Sequence, residues 1–123
     1  MKTLREIEKD VTARLERLGA RWLDPPCFGA PPGYEGTYVE VKNGLYHYAF
    51  VERGEERSRK SSASYDDLLY WIFVPLTDRF ASYVLDYRSQ ERDHRQLIFA
   101  KQIELMNLIG AQLGERLEKD GNL

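Results

Sequence analysis

The sequence predicts an α+β fold: an N-terminal helix, a small antiparallel sheet, a kinked central helix and a long C-terminal helix. Three observations predict it. Leu4, Ile7, Val11, Leu15 and Leu18 recur at helical spacing. Asn43-Gly44 separates two β-rich runs, residues 37–42 and 45–53, and Asn-Gly in that setting is the strongest short hairpin signal. After Ser64 the chain turns apolar with a helical period, interrupted by Pro75.

Each element follows from local chemistry. Thr3 is placed to cap the first helix and Gly19 to stop it, with Glu6, Asp10 and Arg14 on the wet side. Residues 24–36, DPPCFGAPPGYEG, hold two Pro-Pro pairs and three glycines, which exclude helix and central strand. They read as a long ordered loop with Cys27 and Phe28 between the pairs. The two-residue turn fixes the hairpin register: Lys42 faces Leu45, Val41 faces Tyr46, Glu40 faces His47 and Val39 faces Tyr48. One face then carries Val39, Val41, Tyr46, Tyr48 and Phe50 and reads as the core side. The other carries Tyr38, Glu40, Lys42, His47 and Val51 and reads as wetter. Gly54 permits a second turn, and residues 56–62 would return as a polar third strand suited to an exposed edge.

Ser64 begins the next helix, with Asp66 and Asp67 in its first turn, where the dipole favours negative charge. Residues 68–74 are apolar almost all round and should be buried, with Trp71 as an anchor. Pro75 removes one intrahelical bond, so the helix kinks or breaks there. Ser89 can cap a last helix running to about Lys119, ~45 Å long. Its stripe is Phe99, Met106, Ile109 and Leu113, widened by Ile98 and Leu105, and the tail EKDGNL should fray.

Composition narrows the class. A chain of 123 residues suits a single domain, 1–123, with one core. Hydrophobic content of 42% with 31% charged residues is an ordinary globular balance. No apolar run reaches the ~20 residues of a membrane helix. The charged, amphipathic N-terminus lacks the apolar stretch of a signal peptide. Cys27, the sole cysteine, cannot form an intrachain disulfide, so the expected compartment is the cytoplasm. A net charge of −2 argues against a nucleic-acid binder.

No catalytic or metal signature stands out, so no enzyme activity, metal or cofactor is expected. His47 and His94 lack the spacing of a metal helix, and the phosphate-loop, dinucleotide and nucleophile-elbow patterns are missing. His47 opposite Glu40 suits a surface ion pair better than a general base, although a small enzyme using Glu40, His47 and a nearby carboxylate remains a third reading. Cys27 has no base beside it and reads as a loop residue tucked against the core. The unusual constellation is Arg88, Asp93, Arg95 and Gln102, set into a helix that otherwise looks like core. It reads as an internal polar network, with Asp93 neutralising an arginine and Gln102 satisfying backbone groups at a helix–sheet junction. The competing reading is a recognition patch anchored by arginine and Tyr87. Glu52, Glu55, Glu56, Asp66, Asp67 and Glu91, with Tyr87 and the generous tyrosine content, make a candidate acidic and aromatic docking surface. An inhibitor of a nucleic-acid-cleaving enzyme would be built that way.

From Tyr46 to Leu108 the chain resembles the Immunity protein 63 family of bacterial polymorphic toxin systems. The residues that carry the likeness are Tyr46, Tyr48, Glu52-Arg53-Gly54, Leu69, Trp71, Arg88, Asp93, Arg95, Phe99 and Gln102. Pro75 departs from the pattern. The resemblance implies a cognate immunity protein that stays in the producing cell's cytoplasm and blocks a toxin C-terminal domain by binding it, as in contact-dependent inhibition or type VI secretion. It names neither the toxin's activity nor the binding surface. The alternative is a regulatory or scaffold module that binds a cellular protein. An exposed hairpin edge would also allow a homodimer without demanding one.

Overall fold

A computed structural model describes residues 1–85 and 94–121. The element order is α1 (Leu4–Arg17), β1 (Cys27–Phe28), β2 (Gly36–Lys42), β3 (Leu45–Glu52), β4 (Glu55–Ser62), α2 (Tyr65–Leu85), α3 (His94–Ile109) and α4 (Ala111–Gly121). This is the expected α+β class, with four strands in a mixed sheet. Two compact units divide the chain: Met1–Ala13 with Asp24–Ile72, and Arg14–Leu23 with Phe73–Leu123.

The first unit is built on the sheet, in the order β1-β2-β3-β4. Asn43 and Gly44 take φ of 54° and 73°, the left-handed values a type I′ turn needs, and the β2–β3 register is the one the turn dictates. Arg53 and Gly54 repeat that geometry in the turn before β4. The Pro-Pro segment is not wholly a loop. Cys27 and Phe28 pair in parallel with Tyr38 and Val39, and Gly29 N–H donates to the Val39 carbonyl at 2.7 Å. Proline is tolerated at a sheet edge, which is where β1 lies. Cys27 itself is exposed rather than tucked inward, and Pro26 is the buried residue of that stretch.

Two tyrosines join the helices of this unit to the sheet. Tyr46, 2% exposed, accepts a hydrogen bond from the Lys2 backbone at 2.8 Å. Its ring lies 5.6 Å from that of Tyr65, whose hydroxyl donates to Asp10 in α1 at 2.6 Å. Each aromatic body fills apolar space while its hydroxyl satisfies a polar group at the margin. At the start of α1, Thr3 and Glu6 form a reciprocal capping box, which lowers the Glu6 pKa mainly through the Thr3 backbone N–H. Ser64 caps α2 through the Asp67 N–H, as expected.

Two expectations about the sheet change. Trp71 is half-buried, with the Lys60 ammonium 5.9 Å from its ring, rather than a core anchor. The face expected to be wetter holds its own buried group, Tyr38, Ala49 and Val51.

The second unit departs further from the single long helix expected. Gly110 separates α3 from α4, and α4 folds back antiparallel along α3. A Cβ on Gly114 would collide with the Asn107 side chain, and one on Gly121 with the Phe99 ring, so both glycines permit close approach. Carbonyl accounting explains the break. The Arg14 guanidinium donates to the Ile109 carbonyl, which a continuous helix would give to the Leu113 N–H. Leu113 N–H bonds Gly110 instead, at 3.0 Å. Arg14, expected on the wet side, is therefore an α3 end cap. Residues 118–121 of the tail are helical. The end of α1 is as expected: Gly19 has φ of 68°, with the paired Ala20-to-Leu15 and Gly19-to-Glu16 bonds of a Schellman stop. Pro75 does not break α2, which runs through it.

Arg14→Ala should leave the Ile109 carbonyl without its guanidinium donor and cost about 1–3 kcal/mol of stability, measured by urea denaturation. Gly114→Leu should force the α3–α4 pair apart and lower the melting temperature by several degrees. An unchanged melting curve would place α4 elsewhere.

Candidate functional site

The sheet carries a polar cluster that hairpin counting alone does not find. A strict count back from the Arg53-Gly54 turn would set Arg57 opposite Phe50 and Arg59 opposite Tyr48. The register instead shifts between Phe50 and Val51: Val51 pairs with Glu56, and Phe50 with Ser58. Arg57 is the extra residue of a bulge. Because side chains alternate along a strand, one extra residue moves everything after it to the other face. Arg59 thus lands across Ala49, beside Tyr38, and Lys60 lands across Tyr48, beside Trp71.

On the Tyr38 face, Arg59 donates to Glu40 at 2.6 Å, to Glu56 at 2.8 and 2.9 Å, and to the Tyr38 hydroxyl at 2.8 Å. Tyr38 in turn donates to Glu56 at 2.8 Å, and the guanidinium lies 5.8 Å from its ring centroid. Small Ala49 leaves the space that the arginine covers. The side chains of Arg59 and Glu40 are 28% and 25% exposed, so solvent screens the charges only in part. Hydrogen bonds from Arg59, then from Tyr38, hold the Glu56 carboxyl down to about 2. Burial, then the Glu56 bond, raises the Tyr38 phenol. Glu56 and Glu40 push the Arg59 guanidinium up. His47 does not pair with Glu40. Its ring nitrogens lie 2.7 Å from Ser61 Oγ and 3.0 Å from the Lys42 carbonyl. The cluster is a rigid, mutually satisfied surface rather than a set of poised acids and bases.

The residues expected on an acidic docking surface fall into two groups. Glu52 and Glu55 share Arg57 at the β3–β4 turn, at 3.9 and 3.3 Å, and Glu56 belongs to the Arg59 cluster. Asp66 and Asp67 lie at the opposite end of β4, roughly 23 Å away along an extended strand. Asp67 accepts from Ser62 at 2.7 Å and serves the strand-to-helix junction, while Asp66 is exposed. Tyr87 and Glu91 lie outside the described residues, as do Arg88 and Asp93 of the expected polar network. Of its other members, Arg95 is exposed. Gln102 is 6% exposed and donates to the Val74 carbonyl at 2.9 Å. That bond supports α2 one residue before Pro75, so Gln102 satisfies a helix backbone rather than a helix–sheet junction.

In the second unit, an aromatic group lies at the surface. The Trp22 ring centroid is 4.8 Å from that of Tyr83 and 5.7 Å from that of Phe80, yet Trp22 is 49% and Tyr83 59% exposed. Large rings packed together but left half in water have the character of interface anchors. Among the described residues, no group of three or more His, Cys, Asp or Glu could hold a metal, and no helix is long and apolar enough to cross a membrane.

A preorganised charged sheet face and an exposed aromatic group are the equipment of a protein-recognition domain. The model of the Immunity protein 63 family matches residues 42–122, two thirds of the chain, and the chain belongs to that family. Comparison with curated proteins and with solved structures found no match. Immunity proteins are non-catalytic inhibitors, and membership implies neutralisation of a toxin. The matched stretch runs from the last residue of β2 through α4, so it includes the bulged strand and Tyr83. It leaves out α1, β1 and Trp22.

The Glu56 carboxyl titrates normally near 4.5 when unfolded and near 2 when folded. Its contribution is therefore fully present above about 4.5 and is lost as pH falls through about 2. Glu56→Gln should lower the melting temperature at neutral pH, with the gap to the parent narrowing below pH 4.5. A gap that stays constant with pH would remove the charge from the account.

Proposed function

We propose that this chain is the cognate immunity protein of a bacterial toxin and neutralises it in the producing cell's cytoplasm by one-to-one binding. Family membership carries the reading. Contact-dependent inhibition and type VI secretion are settings that suit it. Trp22 and Tyr83 are the proposed anchors, since exposed packed rings supply large contact area at little entropic cost. Residues 52–57 at the hairpin end hold Glu52, Glu55 and Glu56 against Arg53 and Arg57, and the chain carries a net charge of −2. Both favour a basic partner, such as the toxin domain of a nuclease.

Co-expression with the protein encoded immediately upstream tests the reading. The expected results are restored growth and a one-to-one complex on size exclusion. No complex and no rescue would return the chain to the alternative of a scaffold module for a cellular protein. Tyr83→Ala should raise the dissociation constant by about 30-fold or more while leaving the melting temperature close to the parent's. Unchanged affinity would place the interface elsewhere.

A further inference from the structure

The two edges of the sheet differ. β1 is two residues long and lies among prolines, so it offers little to pair with. β4 is eight residues long, and every residue from Glu55 to Ser61 is exposed. Among the described residues, no strand pairs with its outer backbone. Charges usually blunt such an edge. Here they are segregated, with Glu55 and Glu56 at one end and Arg59 and Lys60 at the other. An antiparallel copy of the same strand presents the opposite order.

We propose that β4 pairs antiparallel with β4 of a second copy of this chain, about a two-fold axis between Arg57 and Ser58. In that register Glu55 opposes the second copy's Lys60, and Glu56 opposes its Arg59. The bulge makes this match possible. In a regular strand, a two-fold axis lying between adjacent residues would oppose side chains from different faces. In β4, Arg57 pairs with Glu52 and Glu55, and Ser58 lies across from Phe50, so two consecutive residues share the Tyr48 face. Glu55 and Lys60 therefore fall on that face, and Glu56 and Arg59 both on the Tyr38 face. Two-fold symmetry doubles each pair to give four opposite-charge contacts. Registers centred on Arg59 or Lys60 set like charges on each other and are disfavoured. The pairing joins the two sheets into one and merges the two Glu56–Arg59 clusters into an alternating group of four charges.

Sedimentation velocity on the full chain over a wide concentration range tests this. The expected result is a monomer–dimer equilibrium. Lys60→Glu and Glu55→Lys should each weaken association by about tenfold, through lost attraction and added repulsion at both symmetric contacts. The double variant should restore it, because the swapped charges again oppose each other. Both positions are exposed, and circular dichroism verifies the fold of each variant. A monomer at every concentration overturns the proposal. So does a dimer indifferent to the single changes, or a double variant that fails to recover.

Discussion

The sheet depends on one inserted residue. Arg57 adds a position to β4, and that position decides which side chains meet on both faces downstream of it. Because of it, Arg59 reaches Tyr38, Glu40 and Glu56 instead of the helix side, and Lys60 reaches Trp71 instead of the open face. The resulting cluster holds four polar groups in fixed positions, partly shielded from water, where each charge supports the next. A binding protein gains from such a surface because little side-chain entropy is left to lose on association. The same bulge sets the pattern of charge along the free edge, so local strand geometry and the means of association share one cause.

The second unit depends on the ends of its helices. α3 stops where Arg14 takes its last carbonyl, and α4 can lie along α3 because Gly114 and Gly121 add no side chain at the contact. Gln102 gives α2 an additional donor just before Pro75. Neither hydrogen bond is large alone, at about 1 kcal/mol net, but the Arg14 bond satisfies a carbonyl left over at a helix end. The unit presents Trp22 and Tyr83 on its surface, and such rings are what protein partners bind.

The sequence was informative where a signal is local. Asn43-Gly44, Thr3, Gly19 and Ser64 each act within a few residues, and the turns, caps and register they imply are present. It was silent where the cause is distant or has no residue signature. The bulge at Arg57 requires no special amino acid, so a plain count back from the Arg53-Gly54 turn would set Arg59 on the wrong face. The stripe Met106, Ile109, Leu113 continues smoothly across Gly110, so two helices read as one. The signal that separates them is the spacing of Gly110, Gly114 and Gly121, together with a guanidinium some ninety positions upstream. The acidic residues read as one surface because sequence gives no distance between the two ends of a strand. The family likeness was legible from Tyr46 to Leu108, within the matched stretch of residues 42–122.

The most direct test is the pattern of nuclear Overhauser contacts between β4 and the two aromatic rings that report its faces. The account predicts contacts from the Arg59 side chain to the Tyr38 ring, and from the Lys60 side chain to the Trp71 ring. Contacts from Lys60 to Tyr38, with Arg59 turned toward Trp71, would mean a strand without the bulge and would contradict it.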